Sequence, residues 1–146
     1  MGGSVTPVSR PIPETDPVPV RVMIVEDTDH VRRMLTSMLT LDGFEVTAVA
    51  VSGQDALARI EDAHPDVIIL DQKMPGMDGL TTARRIRDRY PNQVLILYTA
   101  YTDKELERQA EDAGISLCVD KVDGLASLER EITRLSATLP PGPAGS

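Results

Sequence analysis

The chain has no tryptophan, one phenylalanine (Phe44) and three tyrosines, so aromatics make up 3% of its 146 residues. A platform that stacks nucleic-acid bases, or a cage for a quaternary ammonium, needs several aromatic faces that this chain does not have. Its one cysteine, Cys118, excludes an intramolecular disulfide and a cysteine-cluster metal site. Two histidines, His30 and His64, exclude a histidine-rich one. Positive charge is in the minority, with 15 Lys+Arg against 23 Asp+Glu and a formal net charge of -8. That balance provides no basic stripe for a phosphate backbone. No apolar run approaches the roughly 18 residues of a membrane span. Residues 1–20 lack the apolar core of a secretory signal. The expectation is a cytoplasmic protein that engages neither membrane nor, directly, nucleic acid.

What is present suffices for one folded domain. The hydrophobic fraction is 41%, well above that of a disordered chain. Residues 1–20 carry Pro7, Pro11, Pro13, Pro17 and Pro19, and residues 140–146 read PPGPAGS. Both compositions resist helix and core formation, so 1–20 reads as a disordered tail and 140–146 as a tail or linker stub. The domain is expected over 21–139. Within it, apolar runs alternate with segments of helical period. Strands are expected at 21–25, 45–51, 67–70, 94–98 and 116–119. Helices are expected from Asp29 to about Asp42, from Ser52 to about Pro65, and over 79–90, 103–113 and 125–139. Val67-Ile68-Ile69-Leu70 has no polar alternation, as in a strand buried on both faces. Five strand–helix units imply an α/β fold, a parallel sheet with helices on both sides.

Ligands of such sheets gather at the carboxyl ends of the strands. Glu26 and Asp27 follow the first strand, Asp71 the third, Thr99 the fourth, and Asp120-Lys121 the last. Taken alone, Glu26-Asp27 and Asp29 fit equally well as helix caps, and Lys121 as a surface lysine paired with Asp120 or Asp123. Asp71 differs, because the loop MPGMDG separates it from the next helix and leaves its carboxylate free. Clustered carboxylates repel unless protonated or neutralised by a cation. Mg²⁺ suits them, since it takes one or two carboxylates, a carbonyl, waters and a phosphate oxygen. Lys121 then serves as counter-charge to a phosphoryl group and Thr99 as a hydroxyl donor to it, with a carboxylate as nucleophile.

The motifs VEDTD (25–29), LDQKMPGMDG (70–79), YTAY (98–101) and DK (120–121) make the sequence resemble the receiver domain of two-component response regulators over 21–138. The resemblance implies a CheY-like, flavodoxin-like (βα)5 fold with strand order 2-1-3-4-5. It implies that Asp71 is the phosphoacceptor. Glu26, Asp27, Asp71 and the backbone carbonyl of Lys73 would hold Mg²⁺, with Thr99 as the switch hydroxyl. It implies a histidine kinase or phosphotransfer protein as phosphodonor, docking on the helix that starts near His30. The domain would then remove its own phosphoryl group with water, without being an enzyme in the ordinary sense. Phosphorylation would switch the face of the fourth helix, fifth strand and fifth helix toward a downstream target protein, or toward a phosphorylation-dependent homodimer.

The pattern is broken at two places. Cys118 stands where the family places its switch aromatic, and Val122 follows the lysine in place of proline, so a trans peptide or a rearranged loop is expected there. Tyr101 could shield the acyl phosphate or pack on the fourth helix, and Tyr98 reads as core. After residue 139 there is no room for a helix-turn-helix domain. Output is then by protein contact, or the chain is part of a longer regulator. The competing reading is a receiver-like interaction module that accepts no phosphate. A flavin carrier lacks its phosphate loop and stacking partners, a haloacid-dehalogenase-like phosphatase would need an aspartate where Lys73 stands, and no GxxxxGK[ST] loop occurs.

Overall fold

A computed structural model describes residues 18–136. Residues 1–17 of the tail expected at 1–20, the expected tail at 140–146, and residues 137–139 at the end of the last expected helix lie outside the described residues, while Val20 packs against the core and its carbonyl accepts from Glu45 N. The elements are β1 (Arg21–Val25), α1 (Asp29–Leu41), β2 (Glu45–Ala50), α2 (Gly53–Ala63), β3 (Val67–Leu70), α3 (Gly79–Arg89), β4 (Val94–Thr99), α4 (Lys104–Asp112), β5 (Leu117–Asp120) and α5 (Gly124–Ser136). All four strand pairings are parallel. The order is β2-β1-β3-β4-β5, as the resemblance implied.

The strand residues divide by parity between two cores, because successive side chains leave opposite faces. Met23, Val25, Ile68, Leu70, Leu95 and Leu97 face α2, α3 and α4, where Ile60, Ala83, Ile86 and Ala110 meet them. Val22, Ile24, Val67, Ile69, Ile96 and Tyr98 face α1 and α5, where Leu35, Leu39, Leu128 and Ile132 meet them. β3 is fully buried along its length, which accounts for its uninterrupted aliphatic sequence.

The boundaries differ from expectation where local chemistry decides them. β4 runs one residue further, to Thr99, because Thr99 still pairs with Asp120 of β5. For the same reason β5 begins at Leu117 and ends on Asp120, one residue later at each end than expected. β2 stops at Ala50, because Ser52 is the N-cap of α2 and its hydroxyl accepts from Asp55 N at 3.0 Å. Neither Asp27 nor Asp29 caps α1. The N-cap is Thr28, without a side-chain cap bond, while Asp29 is ion-paired with Arg32 and Arg33 one turn on.

Away from the strand ends, Glu129 is an acid held well above its ordinary range. Glu129 of α5 lies beside Asp42, the C-cap of α1, and its Oε2 is sealed from solvent with no hydrogen-bond partner. Burial, then the neighbouring Asp42 carboxyl, pushes the Glu129 pKa up to about 7. When protonated, Glu129 can donate to Asp42 and bridge the two helices. An acid whose folded pKa is raised adds stability below its unfolded pKa and loses it as pH rises through the folded value. The urea midpoint of the wild type should therefore fall between pH 5.5 and pH 7.5, and Glu129→Gln should show a smaller fall. An equal fall in both proteins would contradict the assignment.

Candidate functional site

The carboxyl ends of β1, β3, β4 and β5 converge because the parallel ladders continue one residue past the strands. Glu26 N donates to Ala50 O and Asp71 N donates to Val25 O, each at 3.0 Å. Those two bonds hold the Glu26 and Asp71 backbones in line with the sheet, and both residues are buried, at 2% and 8% exposure. One carboxylate oxygen from each of Glu26, Asp27 and Asp71 lies within 4.8 Å of the others. The structure thus brings together the three carboxylates picked out by sequence position.

Lys121 reaches this cluster from the far end of the sheet. Its Nζ is 3.3 Å from Glu26 Oε1 and 3.4 Å from Asp71 Oδ1. The alternative pairing of Lys121 with Asp120 or Asp123 does not form. Asp120 instead accepts from Val122 N at 2.8 Å, closing a short 3-10 turn over Lys121–Asp123. Every peptide bond in the described residues is trans, including the one before Val122. The turn is the rearranged loop expected without proline, and it leaves the Val122 side chain exposed.

The charges follow from burial. Desolvation, then the Glu26 charge, raises the Asp71 pKa to about 6, with Lys121 opposing the shift and Asp27 adding to it. Burial works against the Lys121 ammonium, but the facing Asp71 and Glu26 outweigh it and hold its pKa above the ordinary value. Glu26 is also fixed from its other side, since its Oε2 accepts from Thr28 N at 3.1 Å. Arg32, on the first turn of α1, donates to the Glu26 backbone carbonyl at 2.9 Å.

Thr99 is buried at the end of β4 and lines a cavity of about 470 Å³ with Asp71, Lys73, Tyr101 and Lys121. Tyr101 is 69% exposed on that wall, so it is not packed away against α4. Lys73 is exposed on the loop after Asp71. Cys118 is half-buried in β5, and burial raises its thiol pKa. Position alone did not reveal the part played by Tyr98. It is core, as expected, yet the Lys121 ammonium sits 5.6 Å from its ring centroid, within cation–π range. An aromatic directly before the strand-end threonine was the available signal.

The residues suit a hard divalent cation. Three carboxylates at this spacing, two of them buried, carry more negative charge than Lys121 neutralises, and oxygen donors are what such an ion takes.

A family model for the response regulator receiver domain matches residues 22–133. Among curated proteins, the chain is 33% identical over 139 residues to the transcriptional regulatory protein PdtaR of Mycobacterium tuberculosis, covering 84% of this chain and 67% of that protein. It is 36% identical over 132 residues to the regulatory protein AtoC of Escherichia coli, covering 82% of this chain but 28% of that one. The chain thus spans under a third of AtoC. Among solved structures, the fold is similar to Vibrio cholerae chemotaxis protein CheY4, with TM-score 0.75, 27% identity, and coverage of 80% and 98% of the two chains. It is also similar to Thermotoga maritima TrrA in complex with Mg²⁺ and BeF, with TM-score 0.71, 29% identity, and coverage of 80% and 98%.

Without a metal, the crowded carboxylates should cost stability. Asp71 is raised from 3.8 to about 6, so its ionised form is the disfavoured one in the folded protein. Its contribution is fully present below about pH 4 and is lost as pH rises through about 6. Asp71→Asn, unfolded with urea in EDTA at pH 7.5, should be more stable than wild type by about 1–2 kcal/mol, and the difference should shrink toward pH 4. A less stable Asp71→Asn protein at pH 7.5 would show that the Lys121 attraction outweighs the crowding.

Proposed function

The chain belongs to the response regulator receiver domain family of two-component systems, and from that premise we propose that it accepts a phosphoryl group on Asp71 from a histidine kinase or phosphotransfer protein. The observation that carries this reading is the Lys121 ammonium held within 3.4 Å of Asp71 and 3.3 Å of Glu26, beside a third carboxylate. Glu26, Asp27, Asp71 and the backbone carbonyl of Lys73 are the groups that would hold Mg²⁺, which when bound supplies charge neutralisation for the phosphoryl oxygens.

The chain's own groups divide the rest of the work. An Asp71 carboxylate oxygen attacks phosphorus as the P–N bond of a phosphohistidine breaks. The bonding pair leaves with the imidazole nitrogen. With its pKa at about 6, Asp71 is mostly ionised near neutral pH and able to act as nucleophile. Lys121 is the cation left to meet the transferred oxygens, at the cost of loosening its hold on Asp71, and Thr99 offers a hydroxyl from the same cavity wall. Catalysis here is positioning and charge stabilisation. The later attack of water returns the carboxylate and releases inorganic phosphate.

The charge added at Asp71 draws Lys121 and Thr99 toward it and biases the β4–α4 loop, and with it the face of α4, β5 and α5, toward a downstream protein or a second copy of the chain. On that face Arg108 is paired with Glu105, and Arg134 with Glu131, each within its own helix. A dimer joined by these charges has to exchange such pairs for intermolecular ones.

Incubation with Mg²⁺ and acetyl phosphate, followed by intact mass measurement, tests the proposal. The wild type should gain one phosphoryl group, Asp71→Asn none, and Lys121→Ala far less than wild type. An unlabelled wild type beside a labelled control receiver would leave the chain as a phosphate-independent interaction module.

A further inference from the structure

The six-residue loop 73–78 joins Asp71-Gln72 to α3, and the Gln72 side chain at its near end bonds to groups at its far end. An α-helix starts with amides that have no intrahelical partner. In α3 the first, Gly79 N, donates to the Gln72 backbone carbonyl at 3.0 Å. The second, Leu80 N, donates to Gln72 Oε1 at 2.9 Å. The third, Thr81 N, donates to Oδ1 of the N-cap Asp78 at 2.8 Å. Gln72 Nε2 then donates to Asp78 Oδ2 at 3.3 Å, which ties the two ends of the loop together. The side-chain caps of α2 and α4 come from Ser52 and Asp103, directly before each helix. The acceptor for Leu80 N comes from eight residues back, at the residue next to Asp71.

The contact also leaves no room for a side chain at Gly79, the first residue of the helix. A Cβ on Gly79 would lie 2.5 Å from the Asp71 backbone oxygen and 2.9 Å from Gln72 Cα. The start of α3 therefore presses on the peptide that carries the Asp71 carboxylate. Of the loop, Met74 is anchored in the core at 8% exposure, while Lys73, Pro75 and Gly76 are exposed. Met74 fixes the apolar side of the loop, and the polar side is fixed through Gln72.

We propose that Gln72 is a positioning residue for the divalent-cation site: by clamping both ends of the 73–78 loop onto the start of α3, it sets where Lys73 stands relative to the Asp71 carboxylate. The inference rests on the reading of Glu26, Asp27, Asp71 and the Lys73 carbonyl as the cation's ligands. Gln72 touches neither cation nor phosphoryl group and acts through the loop. Groups that orient metal ligands typically change affinity by tenfold or more when removed.

The test measures Mg²⁺ binding by calorimetry with no phosphodonor present, together with the thermal midpoint in EDTA. Gln72→Met keeps the length of the side chain and removes its hydrogen bonds, and Gln72→Ala removes them without added bulk. Ser52→Ala removes a helix cap elsewhere in the fold. Both Gln72 variants should bind Mg²⁺ about tenfold more weakly than wild type. In acetyl phosphate labelling their Mg²⁺ requirement should rise by a similar factor, with labelling recovered at saturating Mg²⁺. Ser52→Ala should lower the thermal midpoint and leave Mg²⁺ affinity unchanged. If the Gln72 variants melt earlier yet bind Mg²⁺ like wild type, Gln72 is a cap only and the proposal is overturned. A wild type that binds no Mg²⁺ overturns the ligand assignment itself, and this inference falls with it.

Discussion

An ammonium group wedged between two buried carboxylates organises the mouth of this sheet. Lys121 after β5, Glu26 after β1 and Asp71 after β3 are brought together, with the ammonium within 3.4 Å of both carboxylates, although 95 residues separate Lys121 from Glu26. Removing Lys121 would leave Glu26 and Asp71 buried side by side with no counter-charge, which is far more costly than losing a surface ion pair. The arrangement is nonetheless under-neutralised: one ammonium faces three carboxylates, and Asp71 is displaced toward protonation as a result. That residual negative charge is what makes the three carboxylates suited to a divalent cation.

The scaffold makes this possible by burying both faces of the central strands. With β1, β3 and β4 covered on each side, the strand ends cannot shift without opening a core, so Glu26, Asp71 and Thr99 are placed by packing that lies well below them. The Tyr98 ring illustrates the coupling. It belongs to the core shared by α1 and α5 and at the same time offers its face to the Lys121 ammonium. The parts of the site that lie outside the long helices and the strands, the turn after β5 and the loop after Asp71, are held by hydrogen bonds from Asp120 in one case and Gln72 and Asp78 in the other.

Much of the architecture was legible in the chain itself. The unbroken Val67–Leu70 run, the alternation of strand and helix periods, and the acidic residues placed after strands one and three arise from local patterns that read the same in any context. The helix caps depend on which of two competing partners an acid takes. Ser52 behaves as its type suggests, while Asp29 takes arginine partners on its own helix and leaves Thr28 at the cap. Two acceptors were available to the same segment, and ion pairing along the helix surface won. The strand ends at Thr99 and Asp120 were also misplaced by a residue, because pairing between them extends both strands beyond their apolar runs.

Sequence alone determined the α/β class, the order of the elements and which side chains carry charge at the strand ends, since these depend on residue type and on the period of neighbouring positions. Only the tertiary structure decided that Lys121 turns to Glu26 and Asp71 in preference to Asp120 or Asp123, that Tyr98 lies beneath it, and that Gln72 closes the loop after Asp71. Each of those contacts joins segments whose separation in space is set by the packing of the sheet, and no local pattern in a chain encodes a distance of that kind.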